Sequence, residues 1–296
     1  MSLGELTEAE HAAADRALRS SAGPELARAM FAVALGRPVE DELSLRRAIA
    51  LRWLDENGQP TALGNQVKDP LREFVFWEER GRRLPSEELS PVLARPRFAG
   101  KDVLEVGSGG GCNLLSLSGI PHRLVGVEPM PLYRQMSPML AAMAGLPEPE
   151  VVEGWGRELP FDEASFDTVL CYSAHQYMRV DRALTEMARV LRPSGRLIVV
   201  GNTFFPFAGE TVVRFARDRS LGTLKYDLTA IANTLAYQLR GRRALLPTDA
   251  KNTTSTPIYP TRGHLYRAAR HAGLVPAIHD QRTLPTGETL FVATRR

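Results

Sequence analysis

The stretch Val103-Leu104-Glu105-Val106-Gly107-Ser108-Gly109-Gly110-Gly111-Cys112-Asn113 constrains this chain more than any other. A short apolar run carrying one acid gives way to glycines at the alternate positions 107, 109 and 111, and then to Leu114, Leu115 and Leu117. The order reads as strand, tight turn and helix, because glycine accepts φ > 0 and lets a ligand approach the backbone closely. A helix opening behind the turn presents unpaired N–H groups to whatever lies over it. Such a turn raises the question of a nucleotide-type cofactor, and the rest of the chain must supply the context.

That context begins with alternation. From residue 101 onward, strands are expected at 102–106, 123–127, 150–153, 166–172, 195–201, 274–279 and 288–294, and helices at 110–119, 131–144, 180–191 and 262–272. Repeated βα units of this kind predict a Rossmann-like, doubly wound, mostly parallel sheet of seven strands with helices on both faces. Residues 203–260 interrupt the pattern with amphipathic material and are expected to form a helical lid, with Phe204, Phe205 and Phe207 near its root.

Ahead of the alternation, residues 5–35 show helical spacing with a break at Pro24, and Leu43 to Leu54 is a second amphipathic candidate. An Asn57-Gly58 turn and the segment Thr61-Ala62-Leu63-Gly64 resemble the wing of a winged helix-turn-helix. The expected division is therefore a helical or winged-helix-like domain at 1–85 and a catalytic domain at 86–296. In the bridge between them, Phe74, Phe76 and Trp77 sit beside Glu78-Glu79-Arg80. They read either as aromatics packed on the catalytic domain or, for Trp77 and Arg80, as contacts to the cofactor.

Glu128 is the second decisive residue. It ends the apolar run Leu124-Val125-Gly126-Val127, 21 positions after Gly107. An acid at the end of the second strand can accept both hydroxyls of a nucleoside ribose. A dinucleotide fingerprint would place its third glycine at 112, where this chain has Cys112.

The pattern E-x-G-x-G-x-G from Glu105 to Gly111 resembles the first motif of class I methyltransferases that use S-adenosylmethionine. The resemblance runs through residues 101–202. Val125-Gly126-Val127-Glu128-Pro129-Met130 is similar to the second-strand motif of that family. Glu158-Leu159-Pro160-Phe161 with Ser165-Phe166-Asp167 is similar to its approach to the fourth strand, and Arg189-Val190-Leu191-Arg192-Pro193-Ser194-Gly195 to its turn into the fifth. The N-terminal segment loosely resembles the winged-helix domain that precedes the catalytic domain in many small-molecule O-methyltransferases, where it helps to form homodimers.

The resemblance implies S-adenosylmethionine as cofactor. It implies Glu105, Gly107, Ser108, Gly109, Gly111 and Asn113 around the methionine part, Glu128, Pro129 and Met130 at the ribose, and Gly154, Trp155 and Gly156 near the adenine. Many relatives carry Asp where this chain has Trp155, so a stacking indole and ordinary packing both remain open there. The segment after the fourth strand, Cys171-Tyr172-Ser173-Ala174-His175-Gln176-Tyr177-Met178, is where relatives meet both cofactor and acceptor. Ser173 is then expected at the cofactor, and Tyr172, His175 and Tyr177 at the chemistry, with His175 either a general base or a hydrogen-bonding partner of cofactor or backbone.

Composition trims the alternatives. The two cysteines, Cys112 and Cys171, imply no disulfide framework and no metal site. Nothing reaches the ~18 apolar residues of a membrane span, so a cytoplasmic protein without membrane contact is expected. The first hundred residues carry net charge −2, the second −3 and the remainder +8. An acidic N-terminal region argues against nucleic-acid binding and hence against a DNA-binding regulator. The basic final third, with Arg240, Arg242, Arg243 and His264, suits either a solvated face or an acidic substrate. The reading is a methyltransferase acting on a small molecule, with a slight lean to O-methylation of a metabolite. Methylation of a peptide, another S-adenosylmethionine enzyme, and a nicotinamide dehydrogenase are the rivals.

Overall fold

The computed structural model describes residues 5–219, 221–240, 257–277, 282–284 and 288–296. In chain order its helices are α1 (Glu8–Arg19), α2 (Gly23–Ala34), α3 (Glu42–Ala50), α4 (Ala62–Glu79), α5 (Cys112–Leu117), α6 (Pro131–Ala144), α7 (Val180–Val190), α8 (Phe204–Asp218), α9 (Leu221–Arg240) and α10 (Arg262–His271). Its strands are β1 (Asp102–Val106), β2 (Arg123–Val127), β3 (Glu150–Val152), β4 (Phe166–Tyr172), β5 (Leu191–Gly201), β6 (Leu274–Pro276), β7 (Arg282–Thr283) and β8 (Thr289–Arg295). The chain divides into two compact units, Met1–Gly100 with Ser108–Gly154, and Lys101–Gly107 with Trp155–Arg296.

In the first unit the helices start where side chains can satisfy their free N–H groups. Thr7 and Glu10 form a reciprocal capping box at α1, and Asp41 accepts from Ser44 N at α3. Thr61 Oγ1 accepts from Gly64 N at 3.0 Å. The Thr-x-Leu-Gly segment is therefore the cap and first turn of α4. The expected wing is reduced to the Asn57-Gly58 turn, closed by a single antiparallel bridge between Leu54 and Pro60.

The apolar stripes of these helices pack into one core with the helices that follow β1 and β2. Leu18, Leu26, Met30, Trp53, Leu71 and Trp77 share one buried core with Leu115, Met136, Met139 and Leu140 of α5 and α6. Leu6 N donates to Gln135 Oε1 at 2.9 Å across the same core. Burial of this many large side chains, at about 1.5–3 kcal/mol each, ties α1–α4 to α6. The pair β2–β3 is parallel, with Val125 opposite Glu150.

In the second unit β1, β4 and β5 are parallel neighbours, with Val103 opposite Thr168 and Val169 opposite Leu197. β8 returns antiparallel to β5, and β6 and β7 pair antiparallel with β8. The pairs β2–β3, β1–β4 and β4–β5 are thus the parallel ones, in a mixed α/β, Rossmann-like architecture. The sheet has eight described strands, one more than the seven expected, because the two-residue β7 joins β8. β5 begins at Leu191, ahead of the expected 195, since Leu191 already pairs with Phe166 across a register shift.

The insertion is helical through α8 and α9 and irregular at 257–260. Phe207 stacks on Tyr259 at 3.9 Å, and Phe204 packs against the same small core at its root, whereas Phe205 is exposed. Residues 241–256 of the expected lid, with Arg242 and Arg243, and 278–279 of the expected sixth strand lie outside the described residues.

Candidate active site

The first unit carries the C-terminal part of the glycine turn. Gly109 and Gly111 have φ of +55° and +83°, a conformation that costs other residues strain. Gly111 opens α5, and Asn113 lies half-buried in its first turn. Glu128 follows β2 directly, and its carboxylate is pinned from two sides. Oε2 accepts from Gly109 N and Oε1 from Met130 N, each at 2.9 Å, with Pro129 between them. Burial raises its pKa against the pull of these two amides. Ser108 is buried, its N donating to Val127 O at 3.1 Å and its Oγ lying 2.5 Å from where a Cβ on Gly126 would stand.

A residue that the sequence reading passed over completes this arrangement. Glu73 of α4 places its carboxyl over the turn, where it accepts from Gly110 N–H. A Cβ on Gly109 would lie 3.0 Å from Glu73 Oε2. Burial pushes the carboxyl up to about 7, with the charge of Glu128 adding to the effect and Arg72 opposing it. The signal was present in the sequence. Pro70, Glu73 and Trp77 follow helical spacing, so an acid sits on an otherwise buried stripe.

Trp77, by contrast, is corrected. Its indole is fully buried, donates to Ser116 Oγ at 2.8 Å and packs against Phe74. It is a core residue with its one polar atom satisfied, and no face of it is left for a cofactor. Gly154 is buried just after β3, at the end of this unit.

The second unit holds the other named residues. Glu105 is buried on β1, and together with burial its charge pushes the Cys171 thiol up to about 12, so that cysteine is an inert packing residue. Gly107 has φ +77°, and a Cβ there would stand 2.4 Å from Ala174 Cβ. A Cβ on Gly156 would stand 2.5 Å from Met178 Sδ. The two glycines and the segment after β4 therefore interlock. Trp155 is about half exposed, with the Arg157 guanidinium 4.9 Å over its ring.

Ser173 has φ +49° and donates from Oγ to Glu288 Oε1 at 3.1 Å. Tyr172 is buried at the end of β4. Tyr177 is exposed and shares a hydrogen bond with Tyr226 of α9.

His175 is buried, and its Nε2 lies 3.2 Å from Asn202 O. A carbonyl can only accept, so Nε2 carries the proton and Nδ1 the lone pair. Burial pulls its pKa down to about 4. The ring also rests on Gly201, where a Cβ would come within 2.7 Å of Cε1. A base of this pKa is poorly matched to taking a proton at neutral pH. Of the two readings, the hydrogen bond to the backbone is the one this geometry displays. His264 is likewise engaged, its Nε2 lying 3.1 Å from Asp181 Oδ1.

Chemically, the turn is lined by backbone amides and two carboxyls. Such a donor set suits a ligand with hydroxyl donors and a positively charged end. It does not suit a pyrophosphate, which needs those amides free and no carboxyl over them.

Residues 104–199 match the family model described as a methyltransferase domain. A phthiotriol/phenolphthiotriol dimycocerosates methyltransferase of Mycobacterium leprae is 31% identical over 173 residues, covering 57% of this chain and 59% of that protein. A fatty-acid O-methyltransferase of Mycolicibacterium smegmatis is 41% identical over 107 residues, covering 35% and 38%. The YcgJ structure from Bacillus subtilis superposes with a TM-score of 0.46 at 16% identity, covering 67% of this chain and 93% of that one. The chain spans less than two thirds of the length of the curated relatives it matches.

Proposed function

Residues 104–199 match a methyltransferase-domain model, and we propose that this chain is a class I, S-adenosylmethionine-dependent methyltransferase that transfers a methyl group to the oxygen of a small apolar molecule. One observation carries the cofactor half of the reading. The Gly109 and Gly110 amides are engaged by the carboxyls of Glu128 and Glu73, which welcomes hydroxyls and positive charge and opposes a dinucleotide. Glu128 would hold the ribose, and Gly107 with Gly109 would let the methionine part lie close to the backbone. When bound, the cofactor supplies an electrophilic methyl group on a sulfonium sulfur, so placement of the acceptor can contribute much of the rate.

The acceptor half rests on the insertion. Along α8 and α9, Phe205, Val212, Val213, Leu228, Leu235 and Leu239 are exposed, an apolar surface that suits an apolar acceptor. The names of the mycobacterial relatives, which act on a dimycocerosate lipid and a fatty acid, favour the same class. Tyr172 and Tyr177 would line the acceptor side, and His175 would hold the 173–177 segment in shape through Asn202.

Calorimetry with S-adenosylmethionine and NAD tests the first half: binding of NAD alone sinks it. Glu128→Ala is expected to weaken S-adenosylmethionine binding by about 1.5–3 kcal/mol, the scale of a lost charged hydrogen bond. A screen of hydroxy and carboxy lipids with methyl-labelled cofactor tests the second half. Label found only in peptides, or only on nitrogen, would replace it.

A further inference from the structure

We infer that Glu73, reaching the glycine turn from α4, is a binding residue for the α-ammonium of the cofactor's amino-acid end. The inference rests on the S-adenosylmethionine reading above and adds a residue from the N-terminal helices to it. Its basis is a local imbalance of charge. Glu73 faces Asp69 and Arg72 on its own helix, Glu128 after β2, and the Tyr133 phenol of α6. The glycine turn offers it only the Gly110 amide. Arg72 is itself paired with Asp69, at 3.4 Å, and Arg134 is directed to Glu128 O and Glu153. The surroundings thus hold more carboxyl than cation. Two carboxyls beside one turn oppose each other's ionisation until a cation arrives.

Packing alone does not explain an acid at this place. The helix stripe on either side of it is apolar, with Pro70, Leu71, Phe74 and Trp77 all buried. A carboxyl there pays a desolvation cost that glutamine or leucine would avoid. The same carboxyl covers the Gly110 amide, and its Oε2 lies 3.0 Å from where a Cβ on Gly109 would stand, so a ligand arriving at this part of the turn meets Glu73. Of the groups on the cofactor's amino-acid end, only the ammonium complements it.

The inference makes proton release the signature. Glu73 shifted to about 7 is roughly half protonated at neutral pH, and a bound ammonium would ionise it. Binding of S-adenosylmethionine should then release about half a proton at pH 7 and close to one at pH 6. Calorimetry in two buffers of different ionisation enthalpy reads this count directly on the wild-type protein.

The second arm compares three probes on wild type and Glu73→Gln: S-adenosylmethionine, S-adenosylhomocysteine and 5′-methylthioadenosine, the last lacking the amino-acid end. The first two are expected to bind about tenfold more weakly to the variant, with the proton release gone and methylthioadenosine unchanged. Glu73→Asp is expected to restore part of the proton release. Equal affinities and equal proton counts in wild type and Glu73→Gln would overturn the inference, as would tighter binding by the variant, which would make Glu73 a plug. Failure of the wild-type protein to bind any of the three would overturn the cofactor reading itself.

Discussion

The glycine turn and the segment after β4 each hold a titratable group withdrawn from water, Glu73 half-buried and His175 buried, and this has moved the two in opposite directions. Glu73 rises to about 7 and His175 falls to about 4. Both shifts favour the neutral form, yet their consequences differ. Glu73 ends close to neutral pH, with an amide ready to support its charged form, so a passing cation can tip it. His175 ends far from neutral pH, with its one proton given to a backbone carbonyl, so little can tip it. One region is built to respond to charge, and the other to keep its shape.

The largest expected effect attacks the shape-keeping region. Gly107→Val must adopt φ +77° and meet Ala174 Cβ at once. The strain of about 1–2 kcal/mol and an overpacking cost of about 1–3 kcal/mol should combine in a loss of roughly 2–5 kcal/mol. Chemical denaturation measures it, and a loss under ~1 kcal/mol would show that the segment after β4 yields.

The next effect separates the two groups by pH. In the unfolded chain Glu73 returns to its ordinary 4.5 and His175 to its ordinary 6.5. Between pH 4.5 and 7 the unfolded chain releases the Glu73 proton that the folded chain keeps, so stability falls as pH rises, by up to about 3 kcal/mol. Between pH 6.5 and 4 the unfolded chain takes up a proton that folded His175 refuses, so stability falls as pH drops, by a similar amount. Over about pH 4.5–6.5 the two slopes oppose, and their joint contribution should be nearly flat. Glu73→Gln should then unmask stability that climbs with pH, and His175→Asn stability that declines. Parallel curves for wild type and both variants would erase the distinction between the regions.

The smallest effect is a control on the insertion. Leu239→Ser, on the exposed face of α9, should change stability by no more than about 0.5 kcal/mol. A larger loss would mean that this face is covered in solution.

Much of this was legible in the residues. β1, β2, α6 and β4 fall where period and punctuation put them, because each is bounded by glycine, proline or a charged turn. The Glu105–Gly111 motif was legible as a turn for a related reason: glycines at 107, 109 and 111 all take φ > 0, and Glu128 follows β2 where the strand pattern ends. Thr61-Ala62-Leu63-Gly64 misled, since a threonine that caps a helix and one that starts a wing look alike until the Gly64 amide is seen to bond it. Trp77 misled as well, because an indole N–H can find its partner on another element, here Ser116 of α5. Glu73 was hidden by its exposed neighbours Phe76 and Glu79, and the shifts at Glu73 and His175 depend on burial contributed by residues distant in sequence.

The interlock of Gly107, Gly156, Ala174 and Met178 also dictates the order in which this sequence can drift. At 156 the obstruction is a thioether near the end of a flexible side chain, so a shorter residue at 178 opens the position to alanine. At 107 it is the methyl group of Ala174, which has no rotamer to change. Only a prior Ala174→Gly would clear the space, and the left-handed backbone would still tax the newcomer. Descendants of this chain can reach one substitution by a single enabling step, while the other stays closed to them long after its neighbours have changed.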